Sequence, residues 1–302
     1  HAEVLVSLGW ALQSAGSTKR AREVLFQAAT VARATGDPRL FALAALGVAE
    51  FFVSLGSPAA TALLREALAL LGPEDGILRI WIESALAIQL VGEPGSAGEA
   101  RRHAANAERA ARALAHGRTL AAALLARASV ERVSPERSAQ RRLALANEAS
   151  ALVRGKGEET IEVMASLTRH AASLELGDRI AADDELERLE GLLRRLRSPY
   201  WRSLVPMLRS GHALLDGRFA EAETLARTAF GASDLPFFPY EMSLATAIGG
   251  LRFHQGRGGE ISALLAPLLA VHPHPVALRA ARVVGLVEGG RLEEARRSLA
   301  TF

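Results

Sequence analysis

Residues 217–229 read GRFAEAETLARTA, and this stretch decides the predicted fold. Its opening glycine suits the left-handed backbone that ends one helix and leads into the next. Ala222, Ala226 and Ala229 then recur at helical spacing on one face of the following helix. Small side chains on a shared face let two helices approach closely. The stretch therefore predicts a helix, a tight turn and a second helix that packs back on the first.

The same pattern of a glycine followed by a small residue recurs along the chain. Alanine stands five residues after Gly16, Gly95, Gly177, Gly217 and Gly290, and looser copies pair Gly56 with Ala60 and Gly256 with Ile261. Successive glycines lie 40, 39, 82, 40, 39 and 34 residues apart, and the gap of 82 spans two repeats with one degenerate copy between them. A fixed period in this range is typical of a stacked repeat array.

Helix signals fill the intervals between these glycines. Apolar residues recur at helical spacing in most windows, and the Ser198-Pro199 and Phe238-Pro239 steps mark helix starts. We therefore predict an all-α fold, a solenoid of about eight helical hairpins with a period near 40 residues, in one continuous domain over residues 1–302. The predicted hairpins are roughly 1–36, 37–74, 75–115, 116–156, 157–197, 198–235, 236–273 and 274–302.

Composition excludes several classes of protein. Of the 302 residues, 49% are hydrophobic but only 5% are aromatic, which fits a core of small and straight-chain helix formers. A formal net charge of +3 is too small for a nucleic-acid footprint, and no apolar run reaches the ~20 residues of a membrane helix. The absence of cysteine fits a reducing cytoplasm, so we expect a cytoplasmic protein. The chain begins at His1 rather than Met, which we interpret as a fragment of a larger protein.

Three hairpins carry a more specific pattern. The first has Leu8-Gly9 in its first helix, Gly16 at its turn and Ala21 after the turn. The last repeats the turn as GRLEEA over 290–295, and Pro273 closes the seventh hairpin, just before it. This pattern resembles the tetratricopeptide repeat. The resemblance implies a right-handed superhelix whose first helices line a concave groove. The period exceeds the ~34 residues usual for that repeat, which implies slightly lengthened helices.

The Ala/Leu/Arg-rich texture of the repeats, with phrases such as ATGDP over 34–38, resembles one group of proteins. These are the C-terminal sensor regions of bacterial signal-transduction ATPase regulators, the maltose-regulator-like and LuxR-type large activators. The resemblance implies a non-catalytic array without a cofactor. Its partner would be a protein, a peptide or a small-molecule inducer in the groove, with no direct contact to nucleic acid or membrane.

Two other functions stay open at this point. One alternative to the sensor array is a free-standing adaptor that binds a peptide or a protein subunit. The other is an enzyme with a site in the interior of the array. The sequence leaves the oligomeric state open.

No catalytic or metal-binding set is predicted. Gly155-Lys156-Gly157 lacks the spacing of a phosphate-binding loop and is interpreted as a turn between helices. His272 and His274 alternate with proline and have no third ligand nearby in sequence, which also favours a turn. Three charged runs are interpreted as solvated helix faces, namely Asp183-Asp184-Glu185, Arg101-Arg102 and Arg141-Arg142.

Rare aromatic residues supply the predicted binding site. Tyr200 and Tyr240 lie forty residues apart, and Trp81 lies three periods before Trp201, so we expect all four at the start of first helices. There they either form a stacking wall for a peptide, a sugar or an aromatic inducer, or fill gaps between hairpins. Gap filling is favoured for Trp81, Phe253 and Phe237, and the two alternatives are even for Tyr200 and Tyr240. The remaining groove candidates are Phe253, His254, Trp10, Glu50 and Gln89.

Overall fold

The computed structural model describes residues 1–49, 57–132, 138–195, 199–230, 240–271 and 276–301. Within these ranges the chain forms α-helices and two 3-10 turns, Pro73–Asp75 and Gly258–Glu260, and no β-strand. The all-α prediction is thus confirmed. The helices are α1 Ala2–Ser14, α2 Thr18–Thr35, α3 Pro38–Ala49, α4 Pro58–Leu70, α5 Gly76–Leu90, α6 Ala97–Leu114, α7 Gly117–Glu131, α8 Ala139–Val153, α9 Glu159–Glu175, α10 Arg179–Leu193, α11 Pro199–Leu215, α12 Phe219–Phe230, α13 Tyr240–His254, α14 Ile261–Val271, α15 Val276–Glu288 and α16 Leu292–Leu299.

The helices group into two compact bodies. The N-terminal body is His1–Ser198 and contains α1 to α10, and the C-terminal body is Pro199–Phe302 and contains α11 to α16. In the described part of the chain, two α-helices fall within each of the eight predicted hairpin ranges. One continuous array across both bodies, its right-handed superhelix and the number of equivalent repeats stay predictions.

Five of the six recurrent glycines that the structure describes end helices as the sequence predicts, whereas Gly95 lies in the turn four residues beyond Val91, the C-cap of α5. Left-handed φ angles occur at Gly16 (82°), Gly95 (80°), Gly177 (76°), Gly217 (74°), Gly256 (71°) and Gly290 (72°), while Gly56 lies outside the described residues. After α11, Gly217 N donates to Leu214 O over 3.0 Å, and Arg218 N donates to Ala213 O over 2.8 Å. This pair of bonds is a Schellman cap, whose left-handed residue favours glycine because it carries no Cβ.

The small residues that follow the turns are buried against a partner helix. Those with no exposed surface are Ala21, Ala60, Ala100, Ala182, Ala222 and Ala226. Contact is so close that Ser210 Oγ on α11 donates to the backbone oxygen of Ala222 on α12 over 2.7 Å. The predicted alanine face of 217–229 is therefore confirmed.

Glycine also permits a close approach inside the N-terminal body. The side chain of Leu25 on α2 has no exposed surface and lies between α1 and α3. A methyl group at Gly9 would lie 2.4 Å from Leu25 Cγ, and one at Gly47 would lie 2.7 Å from Leu25 Cδ1. The leucine of the second helix thus occupies space that two first-helix glycines leave free.

Helices pack mainly on their neighbours in sequence. In the N-terminal body each helix contacts the next, and the first helices α1, α3, α5, α7 and α9 also contact one another in order. In the C-terminal body α11 to α16 likewise pack consecutively. Each apolar stripe is therefore buried by adjacent elements, as in repeat proteins. Among the described residues, none of the helices combines the length and hydrophobicity that crossing a bilayer requires.

Candidate functional site

Trp81, one of the predicted groove aromatics, lies on α5, and its half-buried side chain packs against α7. Its indole N–H donates to Thr119 Oγ1 over 3.3 Å, and the guanidinium carbon of Arg118 lies 5.2 Å from its ring centroid. The ring packs against the hydrophobic clusters on both sides of this junction. Trp81 therefore fills the gap between successive hairpins, which supports the gap-filling alternative.

Gln89, a second groove candidate, is 1% exposed and connects two hairpins from the inside. Its Nε2 donates to Ala49 O over 3.0 Å, and its Oε1 accepts from Ser57 N over 3.0 Å. Buried amide groups need such partners, because an unsatisfied polar group in the interior is costly. These bonds give Gln89 a structural role at the junction of α3, α4 and α5.

Trp10, Phe253 and His254 face solvent. Trp10 on α1 is 38% exposed, and Phe253 at the end of α13 is 48% exposed. The Phe253 and His254 rings meet edge to face with their centroids 5.7 Å apart. Interpreting Phe253 as a gap-filling core residue is therefore wrong, because nearly half of its surface is open to water.

The other predicted site residues are not tested by the structure. Tyr200 and Trp201 lie in the first turn of α11 and Tyr240 begins α13, but their side chains are outside what the structure describes. Glu50, Phe237 and the 272–275 segment lie outside the described residues altogether. A stacking wall built by these aromatic residues stays a prediction.

Ion pairs between arginine and glutamate connect neighbouring hairpins of the N-terminal body. We call them the arginine–glutamate ladder: Arg33–Glu66 from α2 to α4 (2.6 Å), Arg65–Glu99 from α4 to α6 (2.9 Å) and Arg112–Glu148 from α6 to α8 (2.6 Å). Hydrogen bonds from these arginines lower the pKa of all three carboxyl groups. The guanidinium groups of the ladder are thus engaged within the protein.

Two charged residues assigned to solvated faces are instead buried or half-buried, so that interpretation is wrong for them. Arg142 is 2% exposed and pairs with Glu175 on α9. Glu185 accepts hydrogen bonds from Arg169 Nε over 2.7 Å and from Ser166 Oγ over 2.5 Å. Burial raises the pKa of Glu185, but these two hydrogen bonds and the charges of Arg169 and Arg188 together lower it below its usual value. The carboxylates of Glu175 and Glu185 therefore each connect two helices, α8 to α9 and α9 to α10.

A cavity of about 570 Å³ opens between the α8–α9 turn and α10. We call it the arginine pocket. Its lining presents three guanidinium groups, two carboxylates, three glycines and one leucine. These residues are Arg154, Gly155, Gly157, Glu159, Glu162, Arg188, Gly191, Leu192 and Arg195. A site of this size and polarity is suited to a small polar ligand.

Glu162 holds one wall of the arginine pocket in place. Gly155 and Gly157 adopt left-handed φ angles of 72° and 78°, which folds the α8–α9 turn over the start of α9. From this turn Gly155 N donates to Glu162 Oε1 over 3.0 Å. Glu162 is 7% exposed, so its carboxylate is committed to the turn.

The opposite wall is one face of α10. Arg188, Gly191, Leu192 and Arg195 follow one another at helical spacing, so they line up along the end of α10 and the turn just beyond it. The side chains of Arg154, Arg188 and Arg195 make no hydrogen bond or ion pair with the residues that the structure describes. The Nε of Arg188 is also buried without an acceptor. The arginine pocket therefore offers guanidinium donors that the protein itself leaves unused.

Sequence reasoning missed this site. It identified the turn at 155–157 but gave it only a connecting role. The available signal was the spacing of Arg188, Gly191, Leu192 and Arg195, a basic face of α10 interrupted by a residue without a side chain. What the sequence lacks is the docking of this face against the turn before α9.

Comparison with known proteins identifies no family. No protein-family model matches the chain, and no curated protein matches it significantly. Within the described ranges, no group of three or more histidine, aspartate or glutamate side chains is arranged to hold a metal ion.

Proposed function

We propose that this chain is a non-catalytic ligand-binding module, the effector-sensing array of a bacterial ATPase-type transcriptional or signalling regulator. The arginine pocket is the observation that carries the proposal. It combines a volume of about 570 Å³ with three guanidinium groups that have no partner among the described residues. A pocket with convergent, unused polar groups is the usual form of a small-molecule site.

The surrounding scaffold supports a binding role by contrast. In the arginine–glutamate ladder, guanidinium groups hold one hairpin to the next over 2.6 to 2.9 Å. Arg142 and Arg169, which are both buried, also pair with glutamates, Arg142 on the next hairpin and Arg169 within its own. Because neighbouring arginines are consumed by structural pairs, the unpaired arginines of the pocket are suited to an external ligand.

A ligand in this pocket would contact two elements at once, the α8–α9 turn and the end of α10. Bridging them restricts how these elements move relative to each other. A ligand that binds one arrangement more tightly than another shifts the population toward it. In a regulator, that preference would reach an attached switch module as a coupling free energy between two sites.

The test is the gene sequence on both sides of the chain. The regulator proposal expects a nucleotide-binding module with a phosphate-binding loop encoded in the same reading frame upstream of His1. A start codon immediately before His1 and a stop codon immediately after Phe302 would contradict the regulator and favour the free-standing adaptor.

A further inference from the structure

We propose that the arginine pocket binds a small molecule that carries an oxyanion, a phosphate monoester or a carboxylate, together with a hydrogen-bond donor that Glu159 accepts. This assignment rests on the proposed function as a ligand-binding module and names the ligand class of that site.

The arrangement of the three arginines favours an oxyanion. Arg188 and Arg195 come from one face of α10, and Arg154 comes from the end of α8 on the other side of the cavity. Guanidinium groups from two elements that line one cavity match the several acceptor oxygens of a phosphate or carboxylate, to which they can bind in a bidentate manner.

The bonding state of these arginines gives independent support. The Nε of Arg188 is buried and has no acceptor, and neither Arg154 nor Arg195 pairs with a described residue. Glu162 keeps its negative charge in the same lining but forms no ion pair with them, and its Oε1 accepts from Gly155 N over 3.0 Å. A buried N–H donor without an acceptor is unusual in native proteins, and a ligand oxyanion would satisfy it.

Glu159 defines the second half of the ligand. It lines the same cavity and has no hydrogen bond or ion pair with the described residues. A carboxylate accepts hydrogen bonds and repels negative charge. The pocket therefore favours a ligand with one oxyanion and one amine or hydroxyl group over a compact polyanion.

The surroundings of the pocket favour a small molecule over a nucleic acid. Two cations that flank the α8–α9 turn are engaged: Arg118 pairs with Glu158 over 3.0 Å, and Lys156 Nζ donates to Leu152 O over 2.9 Å. Arg194 adds one more guanidinium group beside Gly191, where its Nη2 would lie 3.7 Å from an added Cβ. A nucleic acid requires a longer track of free cations to follow its phosphates. The volume of about 570 Å³ lies within the range of roughly 300–1,000 Å³ typical of small-ligand pockets.

Isothermal titration calorimetry on the whole chain tests the proposal with four probes: phosphoethanolamine, inorganic phosphate, L-glutamate and ethanolamine. We expect saturable binding of phosphoethanolamine or L-glutamate, weaker binding of inorganic phosphate and none of ethanolamine, which lacks an oxyanion. Comparison of the first and third probes shows whether the oxyanion is a phosphate or a carboxylate.

Charge-removing variants locate the site. Arg188→Gln and Arg195→Gln should each weaken binding at least about tenfold, since each removes a charge-assisted pair. Arg101→Gln, the matched control, removes an exposed arginine on α6 outside the cavity and should leave affinity within about twofold. Circular dichroism at 222 nm verifies that each variant is folded, and the exposed position of Arg195 keeps the test valid if Arg188→Gln misfolds.

Glu159→Gln examines the second half of the ligand. We expect it to reduce the preference for phosphoethanolamine over inorganic phosphate, because a neutral amide no longer attracts the ammonium group. The proposal is overturned if no oxyanion probe saturates at millimolar concentration, or if binding survives unchanged in Arg195→Gln. Such a failure would leave the upstream phosphate-binding loop as a separate test of the regulator.

Discussion

Gly285 on α15 is the position where the structure makes its sharpest prediction about stability. A methyl group added there would lie 2.7 Å from the backbone nitrogen of Ser262 and 2.9 Å from Ile261 Cβ. Both neighbours belong to the buried start of α14, at 3% and 5% exposure. Neither is the free end of a flexible side chain, so Gly285→Ala requires α14 and α15 to move apart.

The magnitude follows from two opposing effects. Forcing an extra methyl group into a packed contact costs about 1–3 kcal/mol. Alanine in place of glycine in a helix interior stabilises the folded chain by about 1 kcal/mol through its higher helix propensity. Gly211 on α11, in the same body, is the matched control because nothing lies within 4 Å of an added methyl group. Gly211→Ala should stabilise by about 0.5–1 kcal/mol, and the difference between the two variants isolates the steric cost of about 1–3 kcal/mol.

Urea unfolding followed by circular dichroism at 222 nm measures both variants against the unmodified chain. We expect the midpoint to fall, or to stay near its original value, for Gly285→Ala and to rise for Gly211→Ala. Gly250→Ala on α13 is a second control with open space around it and should also raise the midpoint. Equal gains for Gly285→Ala and Gly211→Ala would refute the close approach of α15 to the start of α14.

The remaining predictions concern charged groups. Glu185→Ala should destabilise the chain by about 3–5 kcal/mol in urea unfolding, because Arg169, 5% exposed, loses its carboxylate partner; a loss no larger than that of Glu293→Ala, in an exposed pair, would contradict it. Glu83→Gln should stabilise the folded chain at pH 7, because burial raises the pKa of Glu83 and its ionised form disfavours folding. This stabilisation should disappear in acid, where Glu83 is protonated, and an equal effect on the free energy of unfolding at pH 7 and pH 4 would show that ionisation of Glu83 is not its cause. The free energy of unfolding contributed by the paired carboxyl groups should be fully present above the unfolded-state pKa of about 4.3 and fall as the pH drops through the lowered folded-state values. A titration from pH 7 to pH 3 should therefore show a plateau above about pH 5 and a decline below it, and a constant free energy down to pH 3 would contradict the prediction. The carboxyl groups responsible for this decline are Glu66, Glu99, Glu148, Glu185 and Glu223.

Much of the local fold could be predicted because its determinants act at single positions. A left-handed turn residue strongly favours glycine, so Gly217 and Gly290 predict helix ends from the local sequence alone. A close helix crossing requires a small side chain, so Ala222 and Ala226 identify the buried face of α12. Both requirements repeat with the hairpin, which makes them visible as a period in the sequence.

The state of the charged side chains could not be predicted in the same way. Arg101-Arg102 and Arg141-Arg142 lie forty residues apart and look equivalent, yet Arg101 and Arg102 are exposed and Arg142 is 2% exposed. The difference arises because Arg142 meets Glu175 of α9, a carboxylate on another helix. Burial and pairing of a charge depend on such tertiary neighbours, which a repeat period does not encode.

The same dependence explains why the sequence did not single out the arginine pocket. Trp81 stands out in the sequence because tryptophan is rare, but its indole N–H and ring are engaged at the α5–α7 junction. Arg188 does not stand out, because arginine is common, and its value lies in the acceptor that it lacks. Rarity predicts where a large side chain is needed, whereas unsatisfied bonding capacity indicates where a ligand can bind.

In the N-terminal body, one residue type therefore has two physical roles. An arginine of the ladder gives up hydration for a glutamate on the next hairpin, and an exposed pair of this kind adds only about 0–1 kcal/mol of stability. The side chain of a pocket arginine forms no ion pair with a described residue, so its guanidinium donors are open to a ligand. Introducing a carboxylate by Gly191→Glu would place an internal partner beside Arg194, whose Nη2 lies 3.7 Å from the position of the added Cβ, and at helical spacing from Arg188 and Arg195. This variant should abolish oxyanion binding while leaving the helical circular dichroism intact, and retained binding in a folded Gly191→Glu chain would show that the ligand lies elsewhere.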